Sequence, residues 1–181
     1  LTGVVLCGGL STRYGEDKAL APFEGLPLVD RAIAQLKQVT DRVVLLAGRS
    51  PHRFWSRVGH GVEVSSDPGQ GPAEALRYWL CDHSVRALVI AVDMPRLTSS
   101  DLQVFIEAAP SGAAVLGDSL ATLPCLIDAQ FLTTSAPSLK ACLQELKARR
   151  TSEPWSWGVH SGPARSNATH TSSRRSATIS S

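Results

Sequence analysis

A glycine-rich segment near the start of the chain, residues 6–18, combines the residue types that bind phosphate groups. Two adjacent glycines lack a Cβ atom, so their backbone N–H groups can approach an anion closely. An arginine and a lysine add positive charge, and a serine adds a hydroxyl donor. These residues are Gly8, Gly9, Ser11, Arg13 and Lys18. The combination suits a nucleoside triphosphate, because negative charge grows on the pyrophosphate as it leaves.

The spacing within this segment excludes the two commonest nucleotide-binding loops. A Walker A loop has four residues between its glycines and then Gly-Lys-Ser/Thr. In this chain five residues separate Gly9 from Gly15, and Lys18 follows Asp17. A dinucleotide-binding fingerprint needs Gly-x-Gly-x-x-Gly, which adjacent glycines do not provide. The alternative to a phosphate-binding loop is a glycine turn that carries ordinary surface charges.

An aspartate directly follows the most apolar run of the chain. Asp93 comes after residues 87–92, and a carboxylate at the end of a buried strand can hold Mg²⁺ against phosphate oxygens. The alternative role of Asp93 is a helix cap or a surface-loop residue, since a proline and a helical pattern follow. Asp67 also follows an apolar run, and its alternative is an ordinary Asp-Pro turn. Asp17 is expected to orient Lys18.

The elements that position these residues follow from apolar periodicity. Strands are expected at 4–7, 42–47, 62–65, 87–92, 113–116 and 123–127. Helices are expected from Pro27, over 51–58, from Pro72, behind a capping box of Ser100 with Gln103, and over 139–146. Strands that are apolar on both faces and alternate with helices favour a mostly parallel sheet covered by helices on both faces, which is a three-layer, Rossmann-like α/β fold.

This topology predicts where the candidate residues meet. Ligands of parallel α/β sheets bind beyond the carboxyl ends of the strands. Gly8, Asp67 and Asp93 each follow the end of an expected strand. We therefore expect the three residues to lie along one edge of the sheet.

Composition separates a folded body from a polar tail. The chain has 181 residues, of which 43% are hydrophobic, enough for one domain over 1–150. The net charge of +2 arises in 151–181, where three arginines face one glutamate, so the body is neutral. Serine and threonine supply 13 of those last residues, and we expect this segment to be disordered.

The same data restrict partners and compartment. A neutral body gives no support for nucleic acid or membrane as a partner, and no apolar run approaches the ~20 residues of a spanning helix. The four cysteines are far apart and form no metal or disulfide pattern; they are expected to be buried small hydrophobes. These features favour a cytoplasmic protein.

The glycine-rich segment resembles the signature of molybdenum cofactor guanylyltransferases, the MobA-like nucleotidyltransferases. That signature is Leu-Ala-Gly-Gly, two polar residues, Arg, a variable residue, Gly and then Asp-Lys-Ala-Leu. The chain supplies Leu6 to Gly9, Arg13, Gly15 and 17–20, and then a Gly-x-Pro-Leu turn. Asp67 before Gly71-Pro72, and Asp93-Met94-Pro95, match later family motifs in the right order. The resemblance covers residues 2–149.

The resemblance implies transfer of GMP from GTP to the molybdenum–molybdopterin cofactor, with release of pyrophosphate. It implies Mg²⁺ bound by Asp93, and molybdoenzyme maturation proteins as partners. Arg13, Lys18 and Asp93 are the expected catalytic residues. The expected nucleotide-binding residues are Leu6, Cys7, Gly8, Gly9, Ser11, Arg13, Lys18, Gly48, Asp67 and Asp93, with Asp67 accepting hydrogen bonds from base or ribose.

Three departures from the family pattern leave alternatives open. Gly48 stands where the family has an asparagine that contacts the nucleotide, and residues 71–75 read Gly-Pro-Ala-Glu-Ala instead of Gly-Pro-Leu-Ala-Gly. The closing Asn-x-Asn-Thr-Pro segment, implicated on the pterin side, is absent. The adjacent glycines favour the guanylyl branch, but the alternatives are a cytidylyl or sugar-phosphate nucleotidyltransferase of the same fold and a non-catalytic nucleotide-binding homologue.

Overall fold

Nine strands alternate with four α-helices in the part of the chain that the computed structural model describes, residues 1–8, 17–109, 112–116, 123–128, 138–146 and 149–151. The strands are β1 (Thr2–Leu6), β2 (Pro22–Phe23), β3 (Leu26–Pro27), β4 (Arg42–Leu46), β5 (Val62–Ser65), β6 (Ala87–Ala91), β7 (Ala114–Leu116), β8 (Cys125–Ile127) and β9 (Arg149–Thr151). The helices are α1 (Leu28–Leu36), α2 (Pro72–Leu80), α3 (Ser99–Ala108) and α4 (Leu139–Glu145), with 3₁₀ helices at Lys18–Leu20 and Pro51–Arg57. The expected tail lies outside the described residues, apart from Thr151.

Seven of the strands form one sheet in the order β5-β4-β1-β6-β8-β7-β9. Strands β5, β4, β1 and β6 are parallel, and Val4 of β1 is in register with Val44 of β4 and Val89 of β6. Strand β8 runs antiparallel to both of its neighbours, β6 and β7. The prediction of a mostly parallel sheet is therefore confirmed, with β8 as the reversed strand.

The core has one apolar layer on each face of the sheet. Val5 of β1 belongs to a buried cluster with Phe105 of α3, which also includes residues of α1. The preceding residue, Val4, belongs to a second cluster with Leu76 of α2 and Leu143 of α4. Successive side chains of a strand point to opposite faces, so the two layers follow from strands that are apolar throughout. The prediction of helices on both faces is confirmed.

Two helix starts differ from the sequence prediction. The capping box of α3 is formed by Thr98, whose hydroxyl accepts from the N–H of Asp101, and not by Ser100 with Gln103. Asp101 returns a bond by accepting from the N–H of Thr98. Both residue pairs fit the capping pattern, and the helix begins at the earlier one. Pro27 ends β3 and precedes α1, whereas Pro72 opens α2 as expected.

The cysteine prediction is correct at three of four positions. Cys7, Cys125 and Cys142 are buried, but Cys81 is exposed just beyond α2, where the apolar face of the helix ends. None of the four cysteines is in a disulfide bond. Among the described residues, no helix combines the length and the apolar character that crossing a membrane requires.

Candidate active site

A cleft of about 420 Å³ opens at the carboxyl ends of the parallel strands. Gly8 follows β1, Asp67 follows β5 and Asp93 follows β6, and all three residues line the cleft. This placement matches the convergence that the topology predicted, because parallel strands end at the same edge of a sheet. The other lining residues are Leu6, Cys7, Asp17, Lys18, Ala19, Leu46, Gly69, Gly71, Pro72, Ala75, Ala91, Val92, Leu123 and Leu139.

A lysine and an aspartate from distant parts of the chain meet on this cleft. Nζ of Lys18 donates to Oδ2 of Asp93 at 2.6 Å, although 75 positions separate them in sequence. Both side chains remain partly exposed, at 42% and 45%. Helix α3 begins at Ser99 and is capped by Thr98, so Asp93 is not a helix cap. The pair thus brings together a cation suited to phosphate oxygens and a carboxylate suited to a metal ion.

The turn that presents Lys18 is fixed by the preceding residue. Oδ1 of Asp17 accepts from the N–H of Ala19 at 3.1 Å and caps the 3₁₀ helix that begins at Lys18. The other oxygen of Asp17 accepts from the guanidinium of Arg53. The role expected for Asp17 was to orient Lys18, but its partner Arg53 was not predicted. In the sequence Arg53 is simply a basic residue of the short helix after β4.

A buried carboxylate holds two loops of the cleft together. Asp67 is 7% exposed, and its Oδ2 accepts from the N–H of Gly48 at 2.7 Å while its Oδ1 accepts from the N–H of Gly69 at 2.8 Å. The N–H of Asp67 in turn donates to the carbonyl of Gly48 at 3.1 Å. The bond to Gly69 is the turn that the Asp-Pro alternative anticipated. The bond to Gly48 is a further contact, between loops.

These bonds predict a cost in stability when the carboxylate is removed. Asp67→Ala removes the acceptor of the buried bond from the N–H of Gly48 and of the partly buried bond from the N–H of Gly69, so we expect the free energy of unfolding to fall by about 2 kcal/mol. Urea denaturation measures the change. Asp82→Ala, at an exposed turn position, is the control and should be neutral. An unfolding free energy of Asp67→Ala equal to that of the wild type would contradict the structural role.

The loop that follows β1 and the loop that follows β4 come into close backbone contact at Gly8. A Cβ atom at Gly8 would lie 3.2 Å from the backbone nitrogen of Gly48 and 3.7 Å from Oδ2 of Asp67. Gly48 itself has φ of +64°, in the left-handed region. Glycine at position 8 therefore keeps the first strand end in contact with the loop after β4, and a side chain there would separate them.

Cys7, next to Gly8, packs in the hydrophobic core. Cys7 is 4% exposed and lies in the core cluster that includes α1 and α3. Burial raises the pKa of the Cys7 thiol far above its usual value, so the thiol stays protonated at neutral pH. Cys7 can line the cleft but cannot act as a thiolate nucleophile. Gly9, Ser11 and Arg13 lie outside the described residues.

The metal-binding capacity of the cleft is small. Among the described residues, no three His, Cys, Asp or Glu side chains group into a metal site. Asp67 and Asp17 are engaged with backbone N–H groups and Arg53, whereas Asp93 faces the cleft with the half-exposed Lys18 as its partner. Mg²⁺ commonly uses one or two protein carboxylates together with substrate phosphates and water. The described residues therefore fit a metal ion that binds together with a nucleotide.

The fold and the cleft define an α/β protein with a cleft at the carboxyl ends of its parallel strands, and sequence comparison gives the family. The family model described as MobA-like NTP transferase domain matches residues 3–159. The chain belongs to this family of nucleotidyltransferases.

Named relatives agree with this membership, and a solved structure shares the fold. A molybdenum cofactor guanylyltransferase of Xanthomonas euvesicatoria pv. vesicatoria is 28% identical over 188 residues, covering 90% of this chain and 96% of that protein. One from Rhodobacter capsulatus is 35% identical over 125 residues, covering 65% of this chain and 63% of that protein. The structure of molybdopterin-guanine dinucleotide biosynthesis protein A from Archaeoglobus fulgidus superposes with a TM-score of 0.63 at 18% identity, covering 83% of each chain.

Proposed function

We propose that this protein transfers GMP from GTP to the molybdenum–molybdopterin cofactor and releases pyrophosphate. The observation that carries the proposal is the meeting of Lys18 and Asp93 at 2.6 Å on the cleft at the strand ends. Both side chains are nearly half exposed, so they can reach a ligand in the cleft. The names of the Xanthomonas and Rhodobacter relatives supply the base and the acceptor.

In this proposal the nucleotide lies along the cleft. The triphosphate is held by Gly8, Gly9, Ser11, Arg13 and Lys18. The base and ribose lie against Leu6, Cys7 and Asp67. The buried Gly48, which is not among the residues that line the cleft, holds Asp67 through its N–H. Each Asp67 oxygen has a second lone pair that can accept a hydrogen bond from the nucleotide while its backbone partner stays in place.

The protein's part in the reaction is to position the acceptor's phosphate against GTP and to stabilise the negative charge of the leaving pyrophosphate. An oxygen of the acceptor's phosphate forms a bond to the α-phosphorus of GTP, and the bond from that phosphorus to the β-phosphate oxygen breaks. Lys18 turns from Asp93 to the phosphates and stabilises the charge that grows on pyrophosphate. Asp93, once released by Lys18, is the residue that would hold Mg²⁺. The metal supplies neutralisation of phosphate charge when it is bound.

A turnover assay tests the acceptor. Protein is incubated with GTP, Mg²⁺ and molybdenum–molybdopterin cofactor, and released pyrophosphate is measured. The proposal expects release that depends on the cofactor and is faster with GTP than with CTP. Release that is faster with CTP would assign the protein to the cytidylyl alternative, and release with sugar phosphates would assign it to the sugar-phosphate alternative.

The glycine at position 48 gives a second test, of base recognition. An asparagine tolerates the left-handed φ of +64°. A Cβ atom at Gly48 would meet Gly8 Cα at 3.5 Å, which is ordinary contact. If a side-chain amide at this position binds the nucleotide, Gly48→Asn should tighten GTP binding roughly 2- to 10-fold, the worth of one hydrogen bond.

The matched control for this substitution is Gly48→Ala. Alanine adds the same Cβ atom without an amide, so any effect of filling the space appears in both variants. Calorimetry measures the GTP dissociation constant of each. Equal dissociation constants for folded Gly48→Asn and Gly48→Ala would exclude a nucleotide-binding role for this position.

Four cysteines without a disulfide bond suit a reducing compartment, and we propose the cytoplasm. Molybdoenzyme maturation proteins are the proposed protein partners, because they would receive the product.

A further inference from the structure

One guanidinium joins the turn at Asp17 to the loop that follows β4. Arg53 lies in the 3₁₀ helix after β4, and it donates to the carboxylate of Asp17, to the carbonyl of Ala47 at 3.1 Å and to the carbonyl of Ser50 at 3.1 Å. Its guanidinium also stacks over the ring of Phe54, 4.9 Å from the centroid. The donors of Arg53 are thus used in a fixed fork, which a lysine could not reproduce.

Two partners of Arg53 precede a proposed phosphate contact and the glycine that holds Asp67. Asp17 precedes Lys18 and caps its turn, and Ala47 precedes Gly48. The side chains of Arg53 and Asp17 are 23% and 21% exposed, so the pair is shielded from water more than the Lys18–Asp93 pair. A shielded charged pair fixes geometry better than an exposed one.

Arg53 also neutralises a carboxylate that would oppose the ligand. Asp17 lines the cleft beside Lys18, where an unpaired negative charge would repel a triphosphate or attract the lysine. In the structure the carboxylate of Asp17 pairs with Arg53, which lies in the 3₁₀ helix after β4. Lys18 instead donates to Asp93.

We propose that Arg53 is a positioning residue that holds Asp17, and through it Lys18, in place for the reaction. The proposal rests on the proposed function for its kinetic consequence. It assigns no contact between Arg53 and the nucleotide. Instead, Arg53 acts through the turn that begins at Asp17.

The first test compares Arg53→Met with Arg57→Met. Arg57 lies in the same 3₁₀ helix and pairs with Asp30 of α1, at 2.9 Å between Nη2 and Oδ2, without lining the cleft. We expect Arg53→Met to lower kcat about 10²-fold, the cost of a small misplacement of a reacting group, with a much smaller change in the KM for GTP. Arg57→Met should keep the wild-type kcat. Equal kcat values for the two variants would overturn the proposal.

Rescue separates positioning from a general loss of structure. Asp17→Asn keeps an oxygen that can cap the Ala19 N–H but removes the charge. In the Arg53→Met background this second change should raise kcat several-fold, because the unopposed carboxylate is gone. A double variant no faster than Arg53→Met would overturn the charge argument. If Arg53→Met does not fold, Arg53→Lys replaces it, with an intermediate kcat expected and a wild-type kcat contradictory.

Hydrogen exchange tests the same inference without any turnover. The amides of Ala19, Leu20 and Ala21 are protected by acceptors on Asp17 and Lys18. They should exchange faster in Arg53→Met than in Arg57→Met, and equal exchange would contradict the proposal. A wild-type protein that does not turn over GTP would remove the proposed function, and this comparison would then decide the role of Arg53 alone.

Discussion

Lys18→Met is expected to lower kcat for GMP transfer roughly 10²- to 10³-fold, the cost of removing one preorganised group that stabilises developing charge. Methionine keeps most of the length of the side chain and removes its charge. Lys18 lines the cleft, and its present partner, Asp93, is the proposed metal ligand. Steady-state kinetics at saturating GTP, with pyrophosphate release as the readout, measures the change.

The fold should survive this substitution. The Lys18–Asp93 pair is 42% and 45% exposed, so it contributes little to stability, and we expect the Tm to change by no more than about 2 °C. Lys37→Met is the matched control, because Lys37 is exposed after α1 and does not line the cleft. A Lys18→Met variant with the wild-type kcat would remove the lysine from the reaction.

Asp93→Asn is the second substitution with a large expected effect. Asparagine has the same shape but lacks the charge that attracts a divalent cation, and metal stabilisation of transition-state charge is worth several kcal/mol. We therefore expect kcat at low Mg²⁺ to fall roughly 10²- to 10³-fold. The Mg²⁺ concentration that gives half-maximal rate should rise at the same time.

A magnesium titration of the rate separates this role from others. Asp82→Asn, at an exposed turn after α2, should leave the titration unchanged. The Asp93→Asn variant should recover part of its rate at high Mg²⁺, because the triphosphate still carries the metal ion. The same half-maximal Mg²⁺ concentration in Asp93→Asn and wild type would contradict the assignment of Asp93.

The sequence predicts the part of the site that depends on strand ends. Runs that are apolar on both faces identify buried parallel strands, and the residues that follow them must lie along one edge of the sheet. Gly8, Asp67 and Asp93 lie together for this reason. The motif around Lys18 predicts the chemistry, because it resembles a family signature. Apolar periodicity predicts only where strands and helices lie.

Local sequence patterns do not predict the long-range contacts that complete the site. Arg53 and Asp17 are 36 positions apart, and nothing in the residues around Arg53 distinguishes it from another surface arginine. The reversed direction of β8 is hidden for a similar reason, since Cys125–Ile127 is as apolar as the parallel strands beside it. Both features depend on how separate segments meet, which sequence spacing does not specify.

Calorimetric binding of GTP and CTP, each with and without Mg²⁺ at the same ionic strength, tests the central claim most directly. The account predicts binding of GTP that depends on Mg²⁺ and is tighter than binding of CTP, and weaker Mg²⁺-dependent binding by Asp93→Asn. Absence of binding by either nucleotide to folded protein would contradict the account and favour a homologue that has lost the nucleotide site.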